Sequence, residues 1–106
     1  MPSVTWSESE KKIARRVFQA ALQRELAEVM AEFKEKAANA KDPGDMWAVQ
    51  EYLARMQREI DSKYDFRYSQ LILVFGRLLH EQRIQDSDLV GIAEDKLAYI
   101  RRVASL

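Results

Sequence analysis

At 106 residues, with 47% hydrophobic and 32% charged side chains, the chain has the balance of one folded domain and not of a disordered tail. Lys plus Arg and Asp plus Glu stand at 17 each, so net charge gives no global pull toward nucleic acid or anionic lipid. No cysteine is present, which excludes disulfides, thiolate metal sites and thiol nucleophiles. The opening stretch MPSVTWSESEKK lacks the apolar core of a signal peptide, and the longest apolar run, Leu71 to Phe75, is far too short to span a bilayer. The chain therefore reads as cytoplasmic, with no direct membrane insertion.

The first predicted helix opens at Ser7, which with Glu10 three residues on forms a capping box. Phe18, Leu22, Leu26, Val29, Met30, Phe33 and Ala37 then recur at helical spacing on one face. The helix should run to about Ala40, where Lys41-Asp42-Pro43-Gly44-Asp45 stops it. Such a helix is roughly 50 Å long, whereas a compact chain of this size has a radius of gyration of about 13 Å. Its opposite face carries Ile13, Val17, Ala20, Ala27, Ala31 and Ala38, mostly small residues that let another helix approach. The overhang and this second face together point to a homodimer.

Asp42 and Pro43 suit the N-cap and first position of a second helix, in which Met46, Val49, Leu53, Met56, Ile60 and Tyr64 follow at helical steps. Phe33, Ala27 and Ala31 on the first helix, with Val49, Leu53 and Met56 on the second, are the expected dimer interface. The pattern breaks near Tyr64-Asp65. Leu71, Ile72, Leu73, Val74, Phe75, Leu78 and Leu79 form a third helix, apolar all round at its centre and so expected to be buried. A strand reading of that run fails for want of a strand partner. Asp86-Ser87-Asp88 caps a fourth helix with the stripe Leu89, Ile92, Ala93, Leu97, Ile100 and Val103. The fold class is all-α: four helices in one domain, two long dimerisation helices over about 7–64 and a smaller helical head over about 65–106.

Little chemistry is on offer. His80 is the only histidine, so no metal constellation exists without cysteines. Asp86, Asp88 and Gly91 sit at calcium-loop spacing, but Val90 and Leu97 occupy positions that need oxygen ligands. The glycines at 44, 76 and 91 are isolated and make no phosphate loop. Glu51, Glu59 and Asp61 read as helical ion-pair partners of Arg55, Arg58 and Lys63. No catalytic residue, metal ligand or cofactor is assigned, and the chain is not read as an enzyme. Trp47 is the exception on the second helix. It falls well over 90° from the apolar stripe, beside Gln50, Glu51, Ala54, Arg58 and Asp61 with Gln57 on the flank. A large aromatic on a polar face either packs under the first helix, lies in a dimer contact, or anchors a partner.

Trp6-Ser7, Gln23-Arg24-Glu25-Leu26, Trp47, Leu53, Glu59-Ile60-Asp61, Lys63-Tyr64-Asp65, Arg67, Val74-Phe75, Leu78-Leu79, Asp95-Lys96 and Ile100 fall in register with one family. From Trp6 to Leu106 the chain resembles the fluorescence recovery proteins of cyanobacteria. The resemblance implies an all-helical dimer that works at the thylakoid's cytoplasmic face without a cofactor. It implies binding to the photoactivated red form of the orange carotenoid protein, or a related carotenoid-binding domain, chiefly through that protein's C-terminal domain. It implies that the return to the orange form is accelerated, so that phycobilisome quenching ends and antenna fluorescence recovers. Carried over by position, the partner-binding patch comprises Trp47, Gln50, Glu51, Gln57, Arg58, Leu73 and Tyr99. Trp47 matches the family, and Glu51 replaces an aspartate. Gln50 stands for a histidine, Gln57 for an arginine important for activity, Leu73 for a phenylalanine and Tyr99 for a lysine. Arg58 points about 100° away from Gln57. The scaffold is kept while the patch has drifted, which leaves room for a helical adaptor with a different partner.

Overall fold

The computed structural model describes residues 5–106; the reading of the N-terminus as free of a leader includes residues 1–4, which lie outside them. Four α-helices follow in order: α1 Glu8–Ala38, α2 Pro43–Lys63, α3 Leu71–His80 and α4 Glu94–Ala104, with a 3-10 turn at Asp86–Leu89. No strand occurs among the described residues. The predicted caps form. Ser7 Oγ accepts the Glu10 amide at 3.1 Å and Glu10 Oε1 accepts the Ser7 amide at 2.9 Å. Asp42 Oδ1 accepts the Asp45 amide at 2.9 Å, with Pro43 in the first turn. α1 ends at Ala38, just short of the expected stop.

The molecule is elongated, 53 × 21 × 21 Å with a radius of gyration of 16.8 Å, against about 13 Å for a compact chain of this length. Its shape follows from where the core sits. Ala14, Val17, Phe18 and Ala21 of α1 pack with Leu71, Val74, Phe75 and Leu78 of α3, Leu89 and Ile92 of the turn region, and Ile100 of α4. We call this end the head. Beyond Glu28, which Arg83 still meets at 3.0 Å, α1 has α2 beside it, running antiparallel, and their tip projects as a two-helix hairpin. Ile13 and Val17, assigned by sequence to a second, outward face, belong to the head instead. Val17 is buried, and Ile13 packs against the core.

α4 begins later than the sequence suggested. Asp86–Leu89 forms a separate 3-10 turn, and Gly91 then adopts φ +104, a left-handed conformation that ends any helix begun at Asp86. A Cβ on Gly91 would lie 2.5 Å from Ile13 Cδ1, so the glycine also admits α1 at this point. α3 and α4 pack closely because Gly76 has no side chain; its Cβ would meet Val103 Cβ at 2.5 Å. α3 is buried on the side facing α1 and α4, but not all round: Leu73 remains 54% exposed.

Two clusters of buried charge pin the head to α1. Glu10 Oε2 accepts the Ala93 amide at 2.8 Å, and Lys96 Nζ approaches both Glu10 oxygens at 3.3 Å. Burial pushes the Glu10 carboxyl up, but the amides of Ser7 and Ala93 and the Lys96 ammonium outweigh it and hold it below its ordinary value. The second cluster closes the joint between hairpin and head. Lys63, the last residue of α2, donates to Glu25 of α1 at 2.7 and 2.9 Å and to Glu81, just past α3, at 2.8 Å. Tyr64 Oη donates to Glu25 at 2.8 Å, and Arg83 Nε lies 3.1 Å from Glu25 and 3.2 Å from Glu81. The sequence had Lys63 as a local partner on its own helix. Instead it bridges three segments, because Ile60 and Lys63 lie on the buried side of α2. Nor do Glu51, Glu59, Asp61, Arg55 and Arg58 form the expected ion pairs among the described residues; Arg55 lies over the Tyr52 ring at 5.8 Å.

Candidate functional site

The orientation of α2 decides what the hairpin presents. Tyr52 and Ile60 are buried against α1, and Tyr52 Oη donates to Glu32 at 2.9 Å across the two helices. Burial and that carboxylate raise the Tyr52 phenol above its ordinary value. With these residues turned inward, the helical period turns Trp47, Gln50, Ala54, Arg58 and Asp61 outward. Trp47 is 59% exposed, so it does not pack under α1. Gln50, Glu51, Gln57 and Arg58 are exposed as well and make no hydrogen bond or ion pair among the described residues. From Trp47 to Arg58 the strip covers roughly 17 Å. It is an exposed polar surface with one large aromatic at its end.

Gln57 has a second role that the sequence alone left open. It forms the rim of an apolar groove between α1 and α2, lined by Leu26, Val29, Leu53, Met56 and Ile60. Leu26, Met30, Met46 and Leu53 along this side are 40%, 52%, 53% and 37% exposed. Of the expected dimer residues, half-buried Met56 and exposed Leu53 line this groove and half-buried Val49 and Phe33 lie on the same side of the hairpin, whereas exposed Ala27 and Ala31 lie on the opposite face of α1. The polar strip and the apolar face thus share an edge at Gln57.

Leu73 and Tyr99 lie elsewhere, on the head. Leu73 projects from α3, and Tyr99 on α4 is half-buried with the Arg102 guanidinium 5.9 Å above its ring. Trp47 stands 16 residues before the end of α2, roughly 24 Å along the helix from the joint. One protomer therefore does not bring Trp47 together with Leu73 and Tyr99. Among the described residues no cluster of three His, Cys, Asp or Glu could hold a metal, and no helix is long and apolar enough to cross a membrane. The sequence reading missed the Glu25–Lys63–Glu81–Arg83 joint. Its one signal is that Glu25 and Lys63 interrupt otherwise apolar inward faces.

Residues 6–104 match the family model described as photoprotection regulator fluorescence recovery protein. The chain belongs to the fluorescence recovery protein family. It is 37% identical over 101 residues to the fluorescence recovery protein of Synechocystis sp. PCC 6803, covering 95% of this chain and 93% of that one. The solved structure of the Fremyella diplosiphon fluorescence recovery protein superposes with a TM-score of 0.92 at 30% identity, over 96% of this chain and 100% of that chain. The Synechocystis structure gives 0.91 at 36% identity, with the same coverage. The likeness thus spans hairpin and head alike, and the family is one of photoprotection regulators.

Proposed function

We propose that this protein is a dimeric, non-enzymatic regulator that binds the photoactivated orange carotenoid protein and accelerates its return to the orange form. The observation that carries the reading is the full-length family match combined with an outward Trp47 on an unpaired polar strip. A tryptophan seated in a partner pocket from this degree of exposure removes on the order of 150 Å² of apolar surface from water, a gross gain of about 3–4 kcal/mol. That is the scale of an interface hot spot, and Gln50, Glu51, Gln57 and Arg58 form the polar rim such anchors have. Leu73 and Tyr99 would make a separate contact from the head.

The mechanism needs no covalent chemistry. A helper that binds an intermediate of the back-reaction more tightly than the red form lowers the barrier and is released unchanged. Dimerisation through the apolar side of the hairpin is supported by the exposure of Leu26, Met30 and Leu53 on that side. The test mixes the purified protein with photoactivated orange carotenoid protein and follows the red-to-orange decay. Acceleration is expected; an unchanged rate at excess protein overturns the proposal.

A second reading, a helical adaptor with another partner, is favoured by the four departures at Gln50, Gln57, Leu73 and Tyr99. Gln57 in particular lacks the charge and forked donors of the arginine it replaces. A pull-down from the source organism that recovers only carotenoid-binding proteins counts against it.

A further inference from the structure

Between Glu10 and Glu25 the chain carries Lys11, Lys12, Arg15, Arg16 and Arg24 and not one carboxylate, in a protein whose formal net charge is +0. α1 turns Lys12, Arg15 and Arg16 away from the Ala14, Val17, Phe18 and Ala21 face that enters the core, with half-buried Lys11 on the flank of that face. They line a groove together with Glu8, Gln19 and Tyr68. Lys11 meets the exposed Glu8 at 3.3 Å; Lys12, Arg15 and Arg16 have no ion-pair partner among the described residues. Two of the cations also lie over rings, and for Arg15 the ring stands in place of an anion. Lys11 Nζ lies 5.2 Å over Tyr68 and the Arg15 guanidinium 5.2 Å over Phe66. Stacking of this kind fixes a long side chain before any partner arrives and lowers the entropy lost on binding. The helix N-terminus itself is not the attraction, since Ser7 and Glu10 already cap it.

We infer that this face of α1 docks a second protein through an acidic helix, independently of the Trp47 strip. Lys11 and Arg15, and Lys12 and Arg16, form two rows spaced four residues apart, about 6 Å along the axis. Carboxylates repeated at the same interval on another helix have that spacing too. Nucleic acid fits poorly. A handful of phosphate contacts gives weak, salt-sensitive binding, and the sequence pI of about 6.6 is far from the basic character of nucleic-acid-binding domains. An anionic membrane fits no better, because the rings beneath the cations are half-buried and offer nothing to insert.

The test uses the full chain and its Lys12→Glu/Arg16→Glu variant, two exposed positions whose reversal should leave the melting temperature unchanged. The probe is a labelled helical peptide with glutamates four apart. A peptide of the same composition with the spacing scrambled, an oligonucleotide duplex and phosphatidylserine vesicles run beside it. We expect the spaced peptide to bind best, to perturb amide resonances of residues 11–19, to weaken with salt, and to lose about tenfold or more in affinity to the variant. Tighter binding to the duplex or the vesicles overturns the inference, and so does equal binding of the scrambled peptide. A loss of self-association in the variant, read by light scattering, would assign the face to a second copy of the chain and overturn it as well.

Discussion

Removing the Lys63 ammonium tests the idea that one buried cation fastens the hairpin to the head. Lys63→Met keeps the length and the apolar stem but leaves Glu25 and Glu81 facing each other. Their side chains are 11% and 28% exposed and that of Lys63 only 5%, so water cannot take over its role fully. Breaking a buried ion pair on one side costs about 3–5 kcal/mol. Arg83 stays within 3.1 and 3.2 Å of both carboxylates and Glu81 keeps Arg77 at 3.0 Å, which offsets part of that. The expected loss is about 2–3 kcal/mol, or a melting temperature lower by about 10 °C for a domain of this size. Thermal unfolding followed by circular dichroism, at one fixed protein concentration because dimerisation would add its own term, gives the answer. Adding Glu25→Gln should restore part of the loss, with a coupling of at least about 1 kcal/mol, since the two residues form one network. A fall of less than about 3 °C for Lys63→Met, or strict additivity in the pair, would refute the reasoning.

Gly76→Ala should cost about 1–3 kcal/mol in a chemical denaturation curve, because its methyl would overlap Val103 between α3 and α4. Trp47→Ala should leave stability within about 0.5 kcal/mol of the parent yet slow the assisted recovery of the carotenoid protein by about thirtyfold at sub-saturating protein; an unaltered rate sinks its anchoring role. Leu53→Glu should give a folded monomer in light scattering, whereas a persistent dimer would move the interface off the hairpin. Acid stability follows Glu10. Its folded pKa lies below the ordinary 4.5, so its contribution is present above that pH and fades as pH falls through the lower folded value. Glu10→Gln should therefore flatten the acid limb of the stability profile below about 4.5. At the alkaline end, burial and the Glu25 carboxylate raise the Tyr64 phenol above its ordinary 10.0. Stability from its protonated form is complete below that value and is lost as pH rises past it, so phenolate absorbance from Tyr64 should appear only with unfolding.

How much of this was legible in the sequence depended on how local the cause was. The caps at Ser7 and Asp42 and the helical stripe of α2 are set by residues within a few positions of each other, and they stand in the structure as read. The start of α4 was misplaced because Asp86 and Asp88 look like an N-cap, while the deciding feature, the positive φ of Gly91, is tied to Ile13 some eighty residues away. Ile13 and Val17 went to the wrong neighbour for the same reason: an apolar residue on a long helix does not announce whether its cover is its own head or a second chain. The outward placement of Trp47 could be read, since it depends only on helical period. That Gln57 joins the polar strip to the apolar groove could not, because the groove is made by two helices. Lys63 was read as a helical partner of nearby carboxylates because local spacing offers those first, while its actual partners lie on α1 and beyond α3.

α1 is a single rod of 31 residues whose first half is clamped in the head and whose second half carries the hairpin. The part beyond Glu28, the last α1 residue paired with Arg83, measures roughly 15 Å. A tilt of about 10° at the clamp would sweep the tip, where Trp47 sits, through about 3 Å, a hydrogen bond's length. Lys63 and Glu25 tie the second helix to the same rod, so the two would swing together rather than shear apart. A load on Leu73 or Tyr99 that produced such a tilt would be felt as displacement at a tryptophan it never touches.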